Sequence, residues 1–124
     1  MEAINKNDIY FLVALNASEE SSIVQLQEDL CRWAYEESDV LEVLSSLVKE
    51  GILLFSEYSM DNCEDYTAKE SLQFAQEWNA IKSNSLVLFL TDKGLSRWGE
   101  DDWGITIKRA RYLMFSNQQR VPNA

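Results

Sequence analysis

Carboxylates are the groups in this sequence with the numbers and spacing to do chemistry. Twenty-one acids stand against eleven bases, and many of the acids collect in three runs. The first is Glu36-Glu37-x-Asp39-x-x-Glu42, and the second is Asp61-x-x-Glu64-Asp65. The third, Glu100-Asp101-Asp102, sits between Trp98 and Trp103. Close carboxylates can hold a hard cation, pass a proton to a substrate, or attract a positively charged surface.

The first two uses lack their companions. None of the runs follows the Asp-x-Asp-x-Asp-Gly loop pattern that wraps calcium, so we expect no metal. The chain has no histidine, which removes the commonest general base, every Ser-His or Cys-His pair and the usual nitrogen ligand for zinc. Carboxylate or lysine catalysis stays open in principle, but no glycine-rich phosphate loop accompanies it. We therefore expect a non-catalytic protein with no cofactor. Cys31 and Cys63 stand 32 positions apart and are expected as reduced thiols, with Cys31 on an apolar helix stripe and in the core.

The third use fits the charge map. Residues 1–50 hold eleven acids and three bases, and residues 51–104 hold ten acids and four bases. Residues 105–124 reverse the sign, with Lys108, Arg109, Arg111 and Arg120 and no acid. A net charge of −10 repels phosphate backbones and speeds association with basic surfaces. The basic segment is expected to pair with the protein's own acids or with a second copy, which would make a homodimer.

The elements that must position these groups follow from apolar spacing. Asp8 to Asn16 is nearly all apolar and fits a buried helix. Ser22-x-x-Gln25 is a capping box ahead of Ile23, Leu26, Leu30, Trp33 and Ala34 at helical spacing. A third helix starts at Ser38-Asp39, runs on Val40, Leu44, Leu47 and Val48, and stops at Gly51. Residues 52–58 and 86–90 read as two partnered strands. Between them an insertion over about residues 60–85 carries a helix that opens on Thr67-x-x-Glu70 and turns Leu72, Phe74, Ala75, Trp78 and Ile81 to one side. Thr91 starts a short helix with Leu95 and Trp98 inward. Residues 106–115 fit a helix on Ile107, Ala110 and Met114, or a strand by the alternation of Ile105/Ile107 and Leu113/Phe115.

Length and composition point to one domain over residues 1–124, with a basic segment at 105–124. No apolar run approaches the roughly 20 residues of a membrane span. The start Met1-Glu2-Ala3-Ile4-Asn5-Lys6 lacks a basic, cleavable leader pattern, so the expected location is cytoplasmic.

The stretch Val40-x-x-x-Leu44-x-x-Leu47-Val48-x-x-Gly51-Ile52-Leu53, with Leu88-Phe89-Leu90-Thr91-Asp92-Lys93-Gly94 later, resembles the winged helix-turn-helix pattern over about residues 8–99. The resemblance implies an α+β fold with a two-stranded wing hairpin, here carrying a helical insertion. Residues 90–98 with Asp101-Asp102-Trp103 also resemble a loose set of bacterial winged-helix proteins, some of them immunity partners of toxins.

A winged-helix reader of DNA needs Arg, Lys, Asn or Gln on the outward face of its third helix. This chain offers Glu36, Glu37, Asp39, Glu42, Ser45, Ser46 and Lys49 there. Acids in a first helical turn also complement the helix dipole, a structural role open to Glu36, Glu37 and Asp39. Each run taken alone is a plain solvated face. Together, and bordered by aromatics, they resemble a protein-binding surface. The expected function is an immunity-type inhibitor that neutralises a basic, nuclease-like toxin. Its contacts would be Glu36, Glu37, Asp39, Glu42, Asp61, Glu64, Asp65, Glu100, Asp101, Asp102 and Trp103. The alternative is a winged-helix transcription regulator. Trp33 and Trp78, on helical stripes, are expected in the core.

Overall fold

The computed structural model describes residues 1–100 and 103–118. Among them the chain forms six helices and a three-stranded antiparallel sheet, an α+β arrangement. Helix α1 (Lys6–Ser18) is its axis. Asn5 and Asp8 cap it reciprocally at 2.9 and 3.1 Å, satisfying two first-turn amides. Beyond the cap, Ile9 and residues 11–17 are all buried. A helix apolar all round must be covered all round, and α1 touches α2, α3, α5, α6 and the sheet.

Helix α2 (Ile23–Leu30) buries Ile23, Leu26 and Leu30. Ser22 accepts from the Gln25 amide at 3.1 Å, but the Gln25 side chain turns to Asp29, so half of the expected capping box forms. Helix α3 (Glu37–Lys49) starts one residue earlier than Ser38, from an N-cap Glu36 with no side-chain cap. Val40, Val43, Leu44, Leu47 and Val48 are buried as spaced. Gly51, at φ +75°, ends the helix in the left-handed region where a Cβ is strained.

The sheet corrects one expectation. Strands β1 (Leu53–Ser59) and β3 (Leu86–Leu90) pair antiparallel, Leu53 opposite Leu90 and Glu57 opposite Leu86, as a wing hairpin would. The inserted segment adds a third strand, β2 (Asn62–Asp65), on the other side of β1, with Ser59 opposite Asn62 and Ser56 opposite Asp65. Every side chain of β2 is exposed, so no apolar alternation announces it. Its four residues with three ionisable side chains suit a sheet edge, where shortness and charge discourage further pairing.

The rest of the insertion is α4 (Ala68–Gln76), capped by Thr67 and Glu70 as expected. It packs on α3 and β1. Phe74 meets Phe55 and Tyr66, with ring centroids 5.8 and 4.7 Å apart, and the buried Ser71 hydroxyl accepts from the Phe55 amide at 3.0 Å. Gln27, buried on α2, donates 2.7 Å hydrogen bonds to the carbonyls of Trp78 and Ile81 and so fixes the segment after α4. Trp33 and Trp78 lie in the core.

Helix α5 (Asp92–Gly99) opens on Thr91, whose side chain accepts from the Gly94 amide at 3.1 Å. The Thr91 amide donates to the Ile52 carbonyl at 3.0 Å. Gly94 lies so close to Ile52 that a Cβ there would stand 2.3 Å from its carbonyl oxygen. That approach is the physical reason for the Thr-x-x-Gly spacing. Leu95, expected inward, is 54% exposed, because Gly94 and Trp98 take the inner face.

Residues 107–118 form helix α6 (Ile107–Gln118), which settles the choice between helix and strand. Its inward face is turned from the one expected. Leu113 is buried and Ala110 packs against the core, while Ile107 is 67% exposed. An ion pair decides the rotation: Arg109 Nε and Nη2 donate to the two oxygens of Asp8 at 3.1 and 3.0 Å, and Nη1 to Glu2 at 2.9 Å. Cys31 is also corrected. It is exposed just past the end of α2, where the helical stripe no longer holds.

Candidate functional site

Helices α3 and α4 meet along one side of the molecule and leave a notch of about 310 Å³ at the surface. Glu37 and Leu41 of α3 form one wall, and residues 76–80 form the other. The meeting is set locally: α3 buries its stripe against α1, and the residues between, including the partly exposed Leu41, face α4. Trp78 is 2% exposed and lies 6.2 Å from the Tyr35 ring, which makes a rigid apolar base. Burial holds the Tyr35 phenol above its ordinary pKa, so it stays protonated.

Two carboxylates, Glu37 and Glu77, line this notch, and the Asn79 amide donates to Glu37 at 3.3 Å. An apolar floor beneath two acids matches a lysine or arginine side chain, whose stem is apolar and whose head is cationic. Glu36 stands exposed beside Glu37. Glu37 and Asp39 occupy the first turn of α3, where they also complement its dipole. Glu42, one turn on, pairs with Lys6 of α1.

The other expected contact residues fall elsewhere. Asp61, Glu64 and Asp65 are exposed in the β1–β2 turn and on β2. Asp65 accepts from the Ser56 hydroxyl at 2.9 Å, and that hydroxyl lies 3.1 Å from the Cys63 sulfur. Glu100 follows α5 and lines an open cleft of about 550 Å³ with Glu50, Lys93 and Arg97, which mixes both signs of charge. Asp101, Asp102 and Arg120 lie outside the described residues.

Trp103 corrects its expected role. It is 4% exposed and packs 5.8 Å from Trp98, with the Arg97 guanidinium 4.8 Å from its ring centroid. An indole so enclosed supports the fold and offers no face to a protein partner. The described acids of the runs therefore stand apart, at the start of α3, around β2 and just after α5, and those at the start of α3 are joined to a shaped notch.

Sequence reasoning missed Leu41, Glu77 and Asn79. Leu41 sits off the buried stripe of α3 and is itself a signal, since an apolar residue there needs a cover. Glu77 and Asn79 follow α4 and carry no pattern of their own. Among the described residues, no three His, Cys, Asp or Glu side chains come together as a metal site. No described helix is long and apolar enough to cross a membrane. No protein-family model, curated protein or solved structure matches this chain.

Proposed function

We propose that this protein is a non-catalytic inhibitor of the immunity type, which captures a basic partner such as a nuclease toxin through the acidic start of α3 and the notch beside α4. The observation that carries the reading is the placement of Glu37 and Glu77 over the apolar base of Leu41 and Trp78. Cationic side chains of the partner enter there, and the negative body steers their approach. The chain is read as a winged-helix derivative in which α1 to α3, β1, β3 and α5 keep the parent order.

The same packing supports a protein partner over DNA. In a DNA reader the outer face of the third helix enters the major groove. Here α4 packs against α3, and the exposed positions at its start are Glu36, Glu37 and Ser38. With α4 on its flank and Glu36 and Glu37 at its start, α3 offers Lys49 at its far end as a phosphate-binding base, too little for the counterion-releasing contacts of a DNA complex.

The test is coexpression with the product of the adjacent gene, followed by calorimetry and association kinetics. A tight complex is expected, its on-rate falling as salt rises. Glu37→Lys with Glu77→Lys is expected to weaken it by at least about tenfold. A complex indifferent to both changes, or sequence-specific DNA binding in a gel shift, overturns the proposal.

A further inference from the structure

Helix α6 turns one side to solvent without a cover. Leu113 and Ala110 pack on the core and Arg109 holds Asp8, which leaves Ile107, Lys108, Arg111, Met114 and Phe115 together on the outer arc. Ile107, Met114 and Phe115 are 67, 37 and 60% exposed. Apolar side chains grouped in one exposed patch mark a contact with a protein or a membrane. Lys108 and Arg111 stand exposed among them, and neither makes an ion pair with another described residue, whereas Arg109 is held by Asp8 and Glu2. The outer arc is a ridge of mixed apolar and cationic groups.

The notch between α3 and α4 is its counterpart. Glu37 and Glu77 carry the opposite charge there, and Leu41, 37% exposed, offers apolar surface. Charge decides among occupants. Residues 1–104 carry all twenty-one acids and seven of the eleven bases. A nucleic acid or an anionic membrane drawn to Lys108 and Arg111 meets this negative body at the same time and is repelled by it. A second copy of the chain brings acids that attract the ridge.

We propose that the α6 ridge of one copy docks in the α3–α4 notch of a second copy, with Lys108 and Arg111 against Glu37 and Glu77, and Met114 and Phe115 over Leu41. This docking rests on the reading of the notch as a seat for cationic side chains. A copy whose notch is filled in this way has no seat for a toxin, so self-association holds the protein in reserve and the partner displaces it.

Analytical ultracentrifugation of the full chain, without any partner, reads the association. A concentration-dependent rise in mass is expected at low salt, weakening as salt is added. The ridge variant Lys108→Glu with Arg111→Glu, and the notch variant Glu37→Lys with Glu77→Lys, are each expected to raise the Kd at least about tenfold. An equimolar mixture of the two variants pairs every ridge with a notch of opposite charge and should regain the association, which misfolded chains could not do. The docking is overturned by a native chain that stays monomeric up to about 1 mM, the weak end of the affinity scale. It is overturned equally by a ridge variant that associates as the native chain does, or by a mixture that fails to regain mass. Phosphatidylglycerol vesicles that bind a monomeric native chain and not the ridge variant would assign the ridge to a membrane instead. Because no toxin is present, a monomeric chain refutes the docking alone, and toxin capture is judged by its own calorimetry.

Discussion

Arg109 and Asp8 stand 101 positions apart in the chain and are joined by two hydrogen bonds of 3.0 and 3.1 Å. The same carboxylate accepts from the Asn5 amide at 3.1 Å, so one buried side chain both caps α1 and anchors α6. The hydrogen bonds that Arg109 donates to Asp8 raise its pKa, which keeps the guanidinium charged at every pH of interest. Of the bases in residues 105–124, Arg109 is thus held by the protein's own acids, Asp8 and Glu2.

Arg109→Gln leaves the Asp8 carboxylate 2% exposed and without its counter-charge. Breaking a wholly buried pair costs roughly 3–5 kcal/mol, and because Arg109 is 29% exposed we expect about 2–3 kcal/mol. Urea denaturation measures it, with Asp8→Asn and the double variant completing a cycle. A single-variant loss under about 0.5 kcal/mol, the scale of an ordinary surface change, would remove the clamp from the account.

Gly94→Ala places a methyl group 2.3 Å from the Ile52 carbonyl oxygen and 3.1 Å from the Leu90 Cβ. The first contact is with backbone, which cannot swing aside. Overpacking of this kind costs about 1–3 kcal/mol, and the upper end is expected here. In contrast, Gly99→Ala meets nothing within 4 Å and should be neutral or mildly stabilising. Equal melting temperatures for the two variants would refute the close-approach argument.

Gln27→Leu removes the donors that hold the carbonyls of Trp78 and Ile81, and also the acceptor of the Lys82 ammonium at 2.9 Å. One buried and one part-buried acceptor left unpaired cost about 1–3 kcal/mol. The loss should be local, so amide exchange in residues 76–82 should quicken more than exchange in α1. Uniform quickening would mean that Gln27 does not tether the insertion.

Two carboxylates are held below their ordinary pKa. Glu70 is lowered first by the Thr67 backbone amide and then by its hydroxyl, and Glu2 first by the Tyr112 hydroxyl and then by Arg109. Because the folded values lie below the unfolded ones, their stabilisation is present above the ordinary carboxylate range. It is lost as pH falls through that range to the folded value. We expect the first turn of α4 to loosen only once pH falls below the ordinary carboxylate range, with the Thr67 amide signal moving together with Glu70 protonation. Glu70→Gln should abolish that pH dependence, and a normally titrating Glu70 would contradict it.

Much of the fold was written in local patterns. The buried stripe of α3, the Gly51 stop, the Thr67-x-x-Glu70 box and the apolar runs of β1 and β3 each follow from short-range spacing, because burial on one face imposes a period. The absence of histidine and the sign of the charge were equally plain, since composition needs no geometry.

What remained illegible depends on contacts between distant residues. Strand β2 has no buried side, so nothing in its own sequence records that β1 pairs with it. The inward face of α6 is held through Arg109 by Asp8, a residue in another helix; of its expected apolar face Ala110 packs inward, while Ile107 and Met114 are exposed and Leu113 takes the buried place. Trp103 could have faced solvent or core, and packing against Trp98 decided it. The notch exists only because α4 folds back on α3 and brings Glu77 and Asn79 into one wall opposite Glu37. Periodicity specifies which face of an element is apolar. The tertiary structure decides what covers that face, because covering is a property of two elements and not of one.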